Sequence, residues 1–73
     1  MKKETFNLRP GDEFIPLINL LKLKNIAQSG GHAKLMVEEG EAKVNGEMEL
    51  RKRRKLRPGD IIEVEGITIE IAE

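Results

Sequence analysis

The sequence predicts an α+β fold in which two helices pack on a small, mostly antiparallel sheet. Two stretches, residues 15–23 and 29–40, carry the apolar spacing and the terminal residues of short helices. The Asn-Gly pair at 45–46 is typical of a two-residue hairpin turn. Residues 61–71 alternate between apolar and polar side chains on both sides of a central glycine, which indicates two more paired strands.

Length and composition predict one cytoplasmic domain. The chain has 73 residues and no linker, repeat or low-complexity tract, so we expect a single domain over 1–73. Hydrophobic residues make up 38% and charged residues 36% of it, which allows a packed core under a densely charged surface. Without cysteine, packing alone must stabilise that core. No apolar run has the length of a signal peptide or a membrane span.

The first helix is predicted to begin near Pro16 and to end near 24–25. Before it, residues 5–8 should form a strand at the edge of the sheet, and turn-forming residues follow at 9–12. Pro16 suits a first helical turn because the amide proton that it lacks would have no partner there. From Leu17, leucines at positions i, i+3 and i+4 form an apolar stripe that should face the core.

The second helix is predicted to have Ser29 as its N-cap and Gly40 as its stop. Lys34 should point to solvent or to a ligand, because it lies about 100° around the helix from Ala33. Two glycines occupy the first turn, although each costs about 1 kcal/mol relative to alanine. Either their amides approach a phosphate at the positive end of the helix dipole, or they allow close packing against the first helix. The residues expected in the core are Ala33, Met36 and Val37.

Charges are unevenly distributed along the chain, although the formal net charge is zero. Residues 22–57 contain ten basic and five acidic side chains, whereas residues 60–73 contain five acidic and no basic ones. Such a molecule is an electrical dipole, so its basic part can attract a polyanion at short range. Residues 51–57, hereafter the basic segment, are basic at six of seven positions and should not be buried. The mutual repulsion of these cations favours an anion-binding role over a merely solvated surface.

Arginine and lysine are expected to contribute differently to the basic segment. A guanidinium makes planar, two-pronged contacts with phosphate, whereas a lysine ammonium acts as a point charge. Lys43, on the predicted hairpin, would extend the patch. The residues expected to make two-pronged phosphate contacts are Arg51, Arg53 and Arg54, and those expected to strengthen the positive field are Lys52 and Lys55.

The residue types argue against catalysis, a metal site and a cofactor. His32 is the single histidine, and without cysteine a transition-metal site would depend on carboxylates. A serine that starts a helix is more typical of a cap than of a nucleophile. The pair Gly30-Gly31 lacks the flanking glycines and the lysine of nucleotide-binding loops. We therefore expect no enzyme activity, no cofactor and no small-molecule substrate.

The aromatic content favours a folded RNA as the polyanion. Proteins that bind single strands stack bases on aromatic rings, but both aromatic residues of this chain, Phe6 and Phe14, are expected in the core. Recognition of RNA by its shape and backbone then fits better than recognition base by base. These arguments leave DNA open as a ligand.

The order of the motifs resembles one RNA-binding family. Ser-Gly-Gly-His-Ala-Lys at 29–34 is followed by Gly40, by Val-Asn-Gly at 44–46 and by the basic segment, which runs into Leu-Arg-Pro-Gly-Asp at 56–60. This order is similar to the alpha-L RNA-binding domain of ribosomal small-subunit protein S-four. It looks most like the stand-alone bacterial YbcJ-like and YaaA-like proteins, and the resemblance covers about residues 14–65.

The resemblance implies an alpha-L fold and RNA binding without catalysis. It puts the family's helix cap at Ser29, its RNA-facing cation at Lys34 and its hairpin turn at 44–46. His32 stands where an acidic residue closes a capping box in other members. The family's basic loop corresponds to Arg51, Arg53 and Arg54. The RNA-binding residues predicted from all these features together are Ser29, Gly30, Gly31, His32, Lys34, Lys43, Asn45, Arg51, Lys52, Arg53, Arg54 and Lys55.

We expect a monomeric module that binds structured RNA, which would be ribosomal RNA, transfer RNA or a ribosome assembly intermediate. The alternative is a protein-interaction adaptor whose acidic C-terminal hairpin docks a basic partner, while the arginines serve solubility. Glu63, Glu65 and Glu70 are the carboxylates of that hairpin. Charge reversal at Glu63 and Glu65 would abolish a protein contact but leave RNA affinity unchanged or higher, so it separates the two functions.

Overall fold

Nine short elements make up the structure, a computed structural model that describes residues 2–73. In chain order they are β1 (Lys2–Asn7), β2 (Ile15–Pro16), α1 (Leu17–Leu23), α2 (Gly30–Glu38), β3 (Ala42–Val44), β4 (Glu47–Met48), β5 (Lys55–Leu56), β6 (Ile61–Val64) and β7 (Ile67–Ala72). The predicted α+β class, with two helices and a mostly antiparallel sheet, is confirmed. Within the described residues, neither helix is long and apolar enough to cross a membrane.

The main sheet has five strands in the order β1-β7-β6-β3-β4. Three of its neighbouring pairs are antiparallel, and β1 joins β7 in parallel. A parallel pair needs a long crossover connection, and nearly the whole chain lies between these two strands. The edge strand predicted at residues 5–8 is confirmed, although it covers Lys2–Asn7. β2 and β5 form a separate two-stranded ribbon.

Both helices begin and end close to the predicted residues. Pro16 is the N-cap of α1, with an extended ψ of 143°, so it precedes the first turn rather than lying within it. The three leucines of the stripe are fully buried. Asn25 takes a left-handed φ of 58° just after α1, and Gly40 takes a φ of 76° just after α2. Left-handed residues of this kind commonly end helices, so the predicted stops are confirmed.

One cluster of buried apolar side chains forms the core, to which both helices and the main sheet contribute. Phe6 is half-buried and packs against this cluster, whereas Phe14 is half-buried outside it. The prediction that both phenylalanines lie in the core is therefore wrong for Phe14. Ile15 takes the inward position next to it, and adjacent side chains of an extended chain point to opposite sides. The predicted core residues of α2, which are Ala33, Met36 and Val37, are buried.

The two predicted hairpins are present, and each has a turn of two left-handed residues. Asn45 and Gly46 have φ values of 54° and 84°, and Glu65 and Gly66 have values of 50° and 76°. Positive φ at both positions is the signature of a type I′ turn, whose twist matches that of the paired strands. Because Asn-Gly is the pair that best tolerates these angles, the first hairpin was easier to predict from the sequence than the second.

Candidate RNA interface

The start of α2 is held by two side-chain hydrogen bonds. The backbone N–H of His32 donates to Oγ of Ser29 at 3.1 Å, which confirms Ser29 as the cap. The N–H of Gln28 donates to Nδ1 of His32 at 3.1 Å. This arrangement resembles a capping box in which imidazole replaces the usual carboxylate. The ring nitrogen of His32 thus accepts from the residue before the cap, whereas the carboxylate of a capping box accepts from the N–H of the cap residue itself.

The two glycines of the first turn are not required by packing. A Cβ atom added at Gly30 would meet nothing nearer than Nζ of Lys22 at 3.9 Å, and one at Gly31 nothing nearer than Oγ of Ser29 at 3.9 Å. Both distances are ordinary van der Waals contacts, so alanine would fit. Of the two interpretations offered for these glycines, access to their backbone amides is the one that the geometry favours. First-turn amides have no intrahelical acceptor, so they are available to an anion.

Glu49 organises the basic segment, and sequence reasoning did not single it out. Its side chain is 9% exposed and lies between two guanidinium groups. It accepts hydrogen bonds from the backbone N–H and Nε of Arg51, both at 3.0 Å, from Nη2 of Arg51 at 3.3 Å and from Nη1 of Arg54 at 2.7 Å. These bonds, those from the Arg51 side chain foremost, lower the pKa of the Glu49 carboxyl to about 2 despite its burial. The sequence signal that could have identified Glu49 is its position as a single carboxylate next to a run of basic residues.

The backbone of the basic segment is fixed as well. The carbonyl of Arg54 accepts from the N–H of Leu17 at 2.9 Å, and that of Lys52 accepts from the N–H of Ile18 at 3.1 Å. The segment thereby supplies acceptors for first-turn amides of α1, and its residues 55–56 pair with β2. None of the cations in the segment is buried, as predicted. Their side chains project from a held backbone rather than from a free loop.

Four cations of the segment remain uncompensated. Within residues 2–73, no carboxylate lies within salt-bridge distance of the side chains of Lys52, Arg53, Lys55 or Arg57, whereas Arg51 and Arg54 share Glu49. Three arginines were predicted to make two-pronged contacts with phosphate. Of these, Arg53 is the one whose guanidinium donates no hydrogen bond to a carboxylate. The described part of the chain contains no group of three or more side chains that could hold a metal ion.

Comparison with known proteins places this architecture in a family. The S4 domain family model matches residues 8–72. The chain belongs to the S4 domain family. In solved structures, this S4 domain superposes on YbcJ from E. coli with a TM-score of 0.71 at 35% identity, covering 94% of this chain and 86% of YbcJ. The YbcJ structure is described as having an alpha-L motif involved in RNA-binding, and the fold predicted from the motif order is therefore confirmed.

Curated relatives of this S4 domain are similar over about three quarters of the chain. A Bacillus subtilis (strain 168) protein named "Probable ribosome maturation protein RlbA" is 48% identical over 54 residues, which are 74% of this chain and 76% of that protein. YbcJ of Escherichia coli (strain K12) is 37% identical over 57 residues, which are 78% of this chain and 81% of YbcJ. The YbcJ-like group named from the motifs is thus the right part of the family.

The S4 domain keeps its predicted site residues in two separate places. Lys22, at the end of α1, lies beside Gly30 at the start of α2. The basic segment lies at the other end of α2, where it lines a shallow groove together with Glu38 and Leu50. A nine-residue helix is about 13 Å long, and that length separates the two places.

Three predicted site residues lie outside both places, and one of them, Lys34, is exposed in the middle of α2. Lys43 is exposed in the middle of β3, where its register partners are Met48 and Glu63. Asn45 uses its side chain within the protein, because its amide oxygen accepts from the N–H of Ile61 at 2.9 Å and its amide nitrogen donates to Asp60 at 3.1 Å. That pairing holds the hairpin turn against the start of β6. A role of Lys43 and Asn45 in RNA binding stays a prediction.

Proposed function

We propose that this S4 domain is a non-catalytic module that binds structured RNA, of ribosomal or transfer type, mainly through its phosphates. The observation that carries the proposal is the basic segment. Its backbone is hydrogen-bonded to α1, and the buried carboxylate of Glu49 holds the guanidinium groups of Arg51 and Arg54. Fixed cations lose less side-chain entropy when they bind, and arginine in particular matches phosphate geometry. The YbcJ description and the RlbA name support RNA, and ribosomal RNA first, as the polyanion.

The separation of the two cationic places indicates the kind of RNA that fits. Phosphates that contact the start of α2 and the basic segment would lie about 13 Å apart, the length of a nine-residue helix. Neighbouring phosphates of one strand are much closer together than this. Such spacing suits a folded RNA, which brings distant phosphates side by side, and phosphate contacts of this type fix position rather than read sequence.

The adaptor alternative is less well supported by the outer face of the sheet. The register places Lys3, Thr68, Glu63 and Lys43 in one row across four strands, so these residues share a face. Lysines therefore flank Glu63 on both sides of the row. A basic partner protein would meet a surface of mixed charge there, rather than the acidic surface that the sequence of the C-terminal hairpin suggested.

A salt-dependent binding titration tests the proposal. Fluorescence anisotropy would compare a structured RNA with a length-matched DNA duplex at several salt concentrations, in the cytoplasmic range and below. The variant Lys52→Gln/Arg53→Gln removes two uncompensated cations, and Lys2→Gln/Lys3→Gln removes two from the edge strand β1 as a matched control. Each lost phosphate contact should reduce the slope of log affinity against log salt by about 0.7–0.9. Equal, weak binding by all three proteins at low salt would refute the proposal.

A further inference from the structure

A groove runs along the exposed side of α1, and it contains none of the residues predicted to bind RNA. Its volume is about 750 Å³, which is within the range of small-ligand pockets. We call it the α1 groove. The polar and aromatic side chains that line it are Phe6, Arg9, Asp12, Glu13, Phe14, Asn19 and Lys22.

The α1 groove connects the two cationic places of the proposed interface. At one end, Nζ of Lys55 lies 5.0 Å from the ring centre of Phe14, and Cζ of Arg57 lies 6.0 Å from it. At the other end, the groove residue Lys22 carries its ammonium to Gly30, at the start of α2. An RNA strand with phosphates at both ends would therefore pass over the groove, and a nucleotide from the stretch between these phosphates would face it.

The interior of the groove suits a base better than a phosphate. Phe14 is half-buried, so it offers a held aromatic surface, and base–aromatic stacking is a general source of affinity for unpaired nucleotides. Asp12 and Glu13 would repel a phosphate. They can, however, accept hydrogen bonds from an exocyclic amino group, as carboxylates do from N4 of cytosine. Cations near both ends of the groove and carboxylates in its lining match a nucleotide whose base enters the groove while the phosphates of its strand lie near the ends.

We propose that the α1 groove binds an unpaired base that carries an exocyclic amino group, while more distant phosphates of the same strand contact Lys22 at one end and Lys55 at the other. This inference rests on the proposed RNA-binding function and adds a specificity to it. The RNA would then be one in which an unpaired nucleotide interrupts or ends a helix, rather than a continuous duplex.

Three RNA probes test the inference by anisotropy at one salt concentration. They are an RNA hairpin with a blunt end, the same hairpin with a three-cytidine 3′ overhang, and the same with a three-uridine overhang. Cytosine and uracil are alike in size, but only cytosine has the amino group. We expect the cytidine probe to bind roughly tenfold more tightly than the blunt one, which is about 1.4 kcal/mol. Uridine should bind less tightly than cytidine.

Variants of the groove assign the preference to named side chains. Phe14→Leu keeps an apolar side chain but removes the stacking surface, so it should abolish the overhang preference without changing affinity for the blunt hairpin. Phe14→Tyr keeps the ring and should keep the preference. Asp12→Asn/Glu13→Gln should bring cytidine and uridine closer together. Urea unfolding of each variant checks that it is folded under the assay conditions.

The outcomes separate this inference from the function on which it rests. If wild type binds all three probes equally but with a steep salt dependence, the groove inference is wrong and the RNA-binding function stands. If folded Phe14→Leu keeps the cytidine preference, the base lies elsewhere and the inference is also overturned. Absence of binding to every probe at low salt would refute both. Loss of the preference in Phe14→Leu alone would establish the groove as the base site.

Discussion

Glu49→Gln is the substitution that most directly tests how the basic segment is held. The change keeps the size of the side chain and one acceptor oxygen, but it removes the charge that two guanidinium groups share. It also presents an amide N–H₂ to the same guanidinium groups, which cannot accept a hydrogen bond from it. We expect a less stable protein, whose stability loss depends on pH.

The magnitude follows from the lowered pKa of Glu49. A fall from 4.5 to about 2 corresponds to roughly 3 kcal/mol, at about 1.4 kcal/mol for each pKa unit. The Arg51 side chain is 74% exposed, so solvent screens part of its interaction with the carboxylate. At neutral pH we therefore expect Glu49→Gln to lower the free energy of unfolding by about 1–3 kcal/mol.

The sign of the pH dependence is fixed by the direction of the shift. Because the pKa of Glu49 is lower in the folded protein, its stabilisation is complete above pH 4.5 and is lost as the pH falls towards about 2. The difference between wild type and Glu49→Gln should therefore shrink across this window. Glu4, whose pKa is lowered mainly by its hydrogen bond to Lys24, contributes equally to both proteins.

Urea unfolding followed by circular dichroism, at neutral pH and at two values below pH 4.5, measures this difference. Glu47→Gln is the matched control, because it removes the same charge from an exposed position two residues away. The control should change stability by less than about 0.5 kcal/mol at every pH. If Glu49→Gln were as stable as the control at neutral pH, or lost as much stability as wild type on acidification, the reasoning would be refuted.

Four further substitutions have expected outcomes of their own. Arg53→Gln should weaken RNA binding without loss of stability, whereas Arg54→Gln should lower the urea midpoint as well, because it leaves Glu49 short of a partner. Gly31→Ala should stabilise the protein by about 0.5–1 kcal/mol in urea unfolding and yet weaken RNA binding, since a methyl group covers the helix start. Asn45→Ala should cost about 1–2 kcal/mol through its two hydrogen bonds and its turn, a loss that thermal unfolding would show. An unchanged melting temperature would contradict that role.

Local features of the fold were predictable because local residues determine them. The cap at Ser29, the stop at Gly40 and the turn at 45–46 each depend on the backbone preferences of one to three residues. The leucine stripe of α1 was predictable for the same reason, since its spacing places three side chains on one face. These features, taken in order, were also sufficient to suggest the family.

The features that the sequence did not predict depend on contacts between distant segments. The ribbon of β2 and β5 contains two residues in each strand, separated by nearly forty positions, and neither strand has a length that marks it as a strand. Without that ribbon there is no reason to place Phe14 beneath Lys55 and Arg57. The sequence did not single out Glu49 either, because its burial depends on how the basic segment folds back on α1.

The pairing of β1 with β7 has a consequence for how the molecule folds. In the sheet order β7 lies between β1 and β6, so β1 has no partner until the last strand of the chain has been made. The register brings Lys2 beside Ile67 and Asn7 beside Ala72, contacts of very high sequence separation. Such contacts form slowly, because a long loop must close first. During synthesis, the helices and the central hairpins can associate early, whereas β1 can join the sheet only after β7 has been made.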